Sequence, residues 1–134
     1  MRHRCKVHHL ARPQDQRKAM LRSMATSLFM HDEITTTLAR AKALKEQADH
    51  IVTLAKRGDV HAMRQVLRLI YNQSTGALTT DEKTGKEVSE TVLRRIFRNV
   101  GPRFKDRKGG YTRVIPAHPR RGDAAPMALV QLVD

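Results

Sequence analysis

Two stretches of this sequence carry cations at a density that solvation alone does not require. From Arg2 to Arg22 there are seven, namely Arg2, Arg4, Lys6, Arg12, Arg17, Lys18 and Arg22, against the single acid Asp15. From Arg103 to Arg121 there are again seven, Arg103, Lys105, Arg107, Lys108, Arg113, Arg120 and Arg121, against Asp106 alone. The chemistry open to such groups is phosphate neutralisation, because each Lys or Arg that meets a phosphate releases condensed counterions. The residues between the cations suit the same partner. His3, His8 and His9 alternate with the cations of the first stretch and can stack on bases or reach phosphates. Gly109 and Gly110 permit positive φ and close backbone approach, so their N–H groups can meet a phosphate. Tyr111 has two readings: a ring that stacks on a base, or a core residue at the start of a strand, the commoner place for it.

Other chemistries are poorly supplied. Cys5, His8 and His9 form half a zinc site, but no second cysteine exists, and adding His3 would crowd four ligands into seven residues. His31, Asp32 and Glu33 resemble acid–base machinery only in type, since no nucleophile motif or phosphate-binding loop accompanies them. Arg121-Gly122-Asp123 matches an adhesion tripeptide, yet a turn with a local ion pair is its ordinary meaning. No catalytic site, metal, cofactor or small-molecule substrate is expected.

The whole chain repeats the message of its two basic stretches. Its 134 residues hold 26 Lys and Arg against 13 acids, a formal charge of +13. Self-repulsion at that level opposes compaction, so a polyanionic partner is the simplest explanation. Nucleic acid comes first and an anionic membrane second. The helices below carry ordinary globular stripes without the interfacial Trp of a membrane binder. One cysteine allows no internal disulfide and suits a reducing compartment. No run of about 18 apolar residues is present to span a bilayer, and the start lacks the apolar core of a signal peptide. The cytoplasm, or the interior of an organelle, is the expected location.

The elements that must hold these stretches follow from periodicity. Residues 1–12 show neither helical nor strand period and read as an extended basic arm that orders on a partner. Residues 13–134 read as one domain. Pro13 suits a helix start, and Met20, Leu21, Met24, Ala25, Leu28 and Phe29 make one helical stripe. Residues 33–38 are rich in β-branched side chains and suit a strand. Thr36 or Thr37 then caps a second helix with Leu38, Ala41, Leu44, Ala48, Ile51, Val52 and Ala55 inward, stopped by Gly58. Asp59 caps a third helix with Val60, Met63, Leu67, Ile70 and Tyr71 inward.

Residues 73–88 form a polar insertion. Between Ser74 and Glu90 two lysines face four acids, so this excursion, a hairpin tip by composition, should point away from a polyanion. Ser89 caps a fourth helix with Val92, Leu93, Ile96, Phe97 and Val100 inward, ended by Gly101-Pro102. A basic loop leads to a strand over 111–115, and 127–133 makes a last, largely apolar strand. The class is α+β: a two-layer helix–strand–three-helix–two-strand domain with a small mixed sheet and an extended basic N-terminal arm.

Several stretches also resemble one family in order along nearly the whole chain. They are Met1-Arg2-His3-Arg4 with Asp15-Gln16-Arg17-Lys18-Ala19-Met20-Leu21-Arg22; Glu33-Ile34-Thr35-Thr36-Thr37-Leu38-Ala39-Arg40-Ala41-Lys42; Ile51-Val52-Thr53-Leu54-Ala55-Lys56; Gly101-Pro102-Arg103-Phe104 through Gly109-Gly110-Tyr111-Thr112-Arg113-Val114; and Arg120-Arg121-Gly122-Asp123-Ala124-Ala125-Pro126-Met127-Ala128. On these the chain resembles the bacterial-type large-subunit ribosomal protein number seventeen. The resemblance implies a structural role on large-subunit ribosomal RNA near the peptide exit side, beside neighbouring ribosomal proteins. It implies the same element order, with the arm and the 103–121 loop facing RNA. Residues 72–90 look longer than the family's link, which implies an insertion reaching solvent or a neighbouring protein.

The rival reading is a nucleoid-type DNA-binding protein, since charge alone does not separate RNA from DNA. No helix-turn-helix pattern with a groove-reading helix and no zinc finger supports it.

Overall fold

The computed structural model describes residues 8–80 and 85–133. The element order is α1 (Gln14–His31), β1 (Glu33–Thr37), α2 (Leu38–Arg57), α3 (Val60–Leu67), β2 (Ser74–Thr80), β3 (Glu87–Thr91), α4 (Val92–Arg95) running through a π-helical turn (Ile96–Val100) into α5 (Gly101–Arg103), then β4 (Thr112–Ala117) and β5 (Met127–Leu132). This is the expected α+β architecture. The sheet, however, is antiparallel throughout and not mixed. β5 lies between β1 and β4, with Thr35 opposite Leu129 and Val114 opposite Val130. The loop from β4 to β5 is too short for the crossover that a parallel pair needs.

Alternation along β5 sets the layers. Ala128, Val130 and Leu132 are buried and meet the helices, while Met127, Leu129 and Gln131 take the other face with Arg113 and Ile115 of β4. α2 is the central helix, packed against α1, α3, α5 and all three strands. That is why Ala43 and Leu54, outside its expected stripe, are buried beside Leu44, Ile51 and Val52. Each fully buried Leu or Ile contributes about 1.5–3 kcal/mol to this core.

The local stops act largely as their chemistry dictates. Gly58 ends α2 at φ 69°, and the Asp59 carboxylate accepts from the Ala62 N–H at 2.8 Å to cap α3. Thr37 sits at the start of α2, but no hydroxyl caps it; the Leu38 N–H donates instead to the Pro126 carbonyl at 2.9 Å, tying the helix to the approach of β5. α3 is turned by one position from the expected stripe. Ala62, Val66 and Ile70 are buried, and Val60 is 63% and Leu67 37% exposed. The small Ala62 face suits close packing on α2, which volume outweighs hydropathy in deciding.

The insertion is a two-stranded hairpin, β2 with β3. Ser89 lies in its second strand, and Thr91, not Ser89, caps the fourth helix by accepting from the Arg94 N–H. Gly101-Pro102 does not end that helix. The π turn just before Pro102 widens the coil where proline can give no N–H, and the helix continues to Arg103. Gly101 serves another purpose: a Cβ there would lie 2.9 Å from the Ala55 carbonyl oxygen, so its lack of a side chain lets this helix cross α2 closely.

Candidate nucleic-acid interface

α2 gathers the two basic stretches. Glu46, Asp49 and Lys56 fall within an arc of about 80° at 3.6 residues per turn, and Glu46 and Lys56 are about 15 Å apart along the axis. The root of the N-terminal stretch meets this face at Glu46, whose carboxylate lies 3.7 Å from His8 Nε2. The second stretch meets it twice. Both the backbone N–H and the hydroxyl of Thr112 donate to Asp49 Oδ1, at 3.1 and 2.9 Å. Lys56 Nζ donates to the Arg107 carbonyl at 2.5 Å and to the Tyr111 hydroxyl at 3.1 Å.

The N-terminal stretch is described from His8 on; Arg2, His3, Arg4 and Lys6, with Cys5, lie outside the described residues. His8 to Arg12 are not extended as expected. They make a turn closed by the Arg12 N–H on the His9 carbonyl at 3.2 Å, with Leu10 and Ala11 at φ 53° and 50°. The turn leaves His9 and Arg12 exposed ahead of α1, where Lys18 is exposed and Arg17 half-buried.

Arg22 is taken out of the free cations. Its Nε and Nη2 each donate at 2.8 Å, to the Ile70 and Leu67 carbonyls, and its guanidinium lies over the Tyr71 ring at 4.3 Å. It satisfies carbonyls left open at the end of α3. The neighbouring groove of about 510 Å³ has Lys18 and Arg68 on its walls.

In the 103–121 stretch, Tyr111 is only 4% exposed. It packs edge-on against Phe104 with centroids 5.3 Å apart, so its ring is a core residue and offers no face to a base. Arg103 donates to the Val133 carbonyl at 2.9 Å, and Arg107 Nε to the Gly109 carbonyl at 3.2 Å, within its own turn. Gly110 takes φ 66°, the conformation that asks for glycine here. Lys105, Lys108, Arg113 and Arg121 are exposed.

Arg120 is paired, Nε and Nη2 on the two oxygens of Asp123 at 3.1 and 2.5 Å. The bidentate hydrogen bond from Arg120, helped by the Ala125 N–H, holds the Asp123 carboxyl down to about 2, and the same bond raises Arg120. The expected turn with a local ion pair is what Arg121-Gly122-Asp123 belongs to. Asp32 ends α1 at φ 63° and holds Arg95 at 2.6 Å.

The sequence did not single out Asp49, placed Lys56 only at the end of the second helix, and marked Gly101 only as a helix stop. Their roles appear only in contacts 46 to 63 residues distant in sequence. Among the described residues no three His, Cys, Asp or Glu side chains gather to hold a metal ion, and no helix is long and apolar enough to cross a membrane.

One face of α2 meets both cation-rich segments, which defines a class: a small α+β protein whose cations concentrate in two segments. The comparison with known proteins makes the class particular. The profile of ribosomal protein L17 matches residues 20–133. The chain is 46% identical over 124 residues to "Large ribosomal subunit protein bL17" of Streptococcus pneumoniae (strain Hungary19A-6), covering 92% of this chain and 96% of the relative, and the same figures hold for that of Streptococcus equi subsp. zooepidemicus (strain H70). The chain belongs to the ribosomal protein L17 family. It is therefore a structural ribosomal protein and not an enzyme.

Proposed function

We propose that this chain binds large-subunit ribosomal RNA through residues 1–22 and the 103–121 loop, and in doing so supports assembly of the large subunit in the cytoplasmic ribosome. The observation that carries the reading is the shared face of α2, which meets the root of one stretch at Glu46 and hydrogen-bonds the loop of the other at Asp49 and Lys56. A polyphosphate chain that meets cations already placed by the fold does so without the entropy cost of ordering two free tails. Residues 1–12 act as the arm and 13–134 as the domain that presents it. The hairpin of β2 and β3, net acidic, turns to solvent or to a neighbouring ribosomal protein.

The test is a salt series on the full chain with a transcript of bacterial large-subunit rRNA. Changing Arg2, Arg4 and Lys6 together to Ala should weaken binding and flatten the slope of log K against log salt by about 2 to 3 if each meets a phosphate. An unchanged slope would show that the arm is not on the RNA backbone. Tighter binding to duplex DNA than to the transcript would favour the nucleoid-type alternative.

A further inference from the structure

The loop that follows α5 is pinned by its backbone, and the pin is a lysine. The Arg107 carbonyl accepts from Lys56 Nζ at 2.5 Å and from the Tyr111 hydroxyl at 3.3 Å, while Lys56 also lies 5.2 Å from the Tyr111 ring centre. Lys56 is in the last turn of α2, where the negative end of the helix favours a cation, and Tyr111 is fixed in the core by Phe104. The carbonyl is thus held toward α2. In a trans peptide the C=O and the next N–H point in opposite directions, and no peptide of the described chain is cis. The Lys108 N–H therefore points away from α2 into solvent. Neither it nor the Gly109 N–H has an acceptor among the described residues. Lys108 and Gly109 are exposed, and nothing lies within 4 Å of where a Gly109 Cβ would stand, so this side of the turn is open to solvent.

We propose that Lys108–Gly109 is a backbone phosphate-binding turn, its ligand one phosphodiester of RNA, and that Lys56 is the positioning residue that aims it. Lys56 gives its donors to the Arg107 carbonyl and the Tyr111 hydroxyl and does not touch the RNA. The proposal rests on the RNA-facing reading of the 103–121 loop and assigns it a donor set that counting cations does not reveal. Backbone N–H donors place a phosphate at a set point, whereas the Lys105 and Lys108 side chains attract it from any direction.

The experiment measures affinity for the large-subunit rRNA transcript over a salt series, with thermal unfolding of each variant. Gly109→Ala leaves the melting temperature near that of the parent, weakens binding about tenfold by blocking close approach, and leaves the salt slope unchanged because no cation is lost. Lys56→Met weakens binding with the slope likewise unchanged, and Lys56→Arg, which keeps donors for the Arg107 carbonyl, recovers part of the loss. Parent-like binding by Gly109→Ala overturns the turn. A slope lowered by about 0.7–0.9 in Lys56→Met makes Lys56 a phosphate ligand and overturns its positioning role. The paired change Lys105→Ala with Lys108→Ala separates the two levels. If it flattens the slope while Gly109→Ala and Lys56→Met are silent, only this inference falls; if it too is silent, the RNA-facing reading of the loop falls with it.

Discussion

Replacing Gly101 by alanine sets two known effects against each other, and the structure decides which wins. Gly101 is helical at φ −54°, so alanine fits its backbone and should gain up to about 1 kcal/mol from helix preference. Against this, the new Cβ would stand 2.9 Å from the Ala55 oxygen and 3.3 Å from its carbonyl carbon. Both are backbone atoms, and α2 is already packed against α1, α3 and all three strands, so it does not yield easily. Overpacking of this kind costs about 1–3 kcal/mol. With the full gain subtracted, the net is a destabilisation of up to about 2 kcal/mol, or a melting temperature lower by up to about 7 °C for a chain of this length. Thermal unfolding followed by circular dichroism at 222 nm measures it, with Gly109→Ala as the control whose Cβ meets nothing within 4 Å. A Gly101→Ala protein more stable than the parent would refute the close crossing of α2 and α5.

Three further outcomes follow from the same contacts. Arg22→Ala should cost about 1–2 kcal/mol, since two carbonyls at the end of α3 lose a charged donor and part of the site is wet; its salt slope on RNA should match the parent's, and a flatter slope would return Arg22 to the RNA contacts. The Asp123 carboxyl, held to about 2 by Arg120, contributes to its turn above the ordinary carboxylate value and loses that contribution as pH falls through about 2; NMR titration of its side chain near the ordinary value would dissolve the pair. Asp123→Asn should free Arg120 and steepen the salt slope by up to about 0.7–0.9. Replacing residues 78–89 by an Asn-Gly turn keeps Thr75 on the buried Glu90 and should spare RNA affinity, so a large loss would place the hairpin on the RNA.

What the chain order alone determined was the order of the main helices and of the three sheet strands, the Gly58 stop, the Asp59 cap, and the two segments in which cations concentrate. These are local properties: a stripe, a stop or a cation cluster is set by residues within a turn or two of one another. Tertiary structure decided which of those charges face outward. Arg22 was spent on carbonyls 45 and 48 residues away, Arg120 on Asp123, and Tyr111 on the core beside Phe104. It also decided the rotation of α3, the antiparallel sheet and the passage of the fourth helix through Gly101-Pro102. A cation's side chain reaches water or a buried carbonyl according to what the fold puts beside it, and no pattern of neighbours along the chain contains that distance.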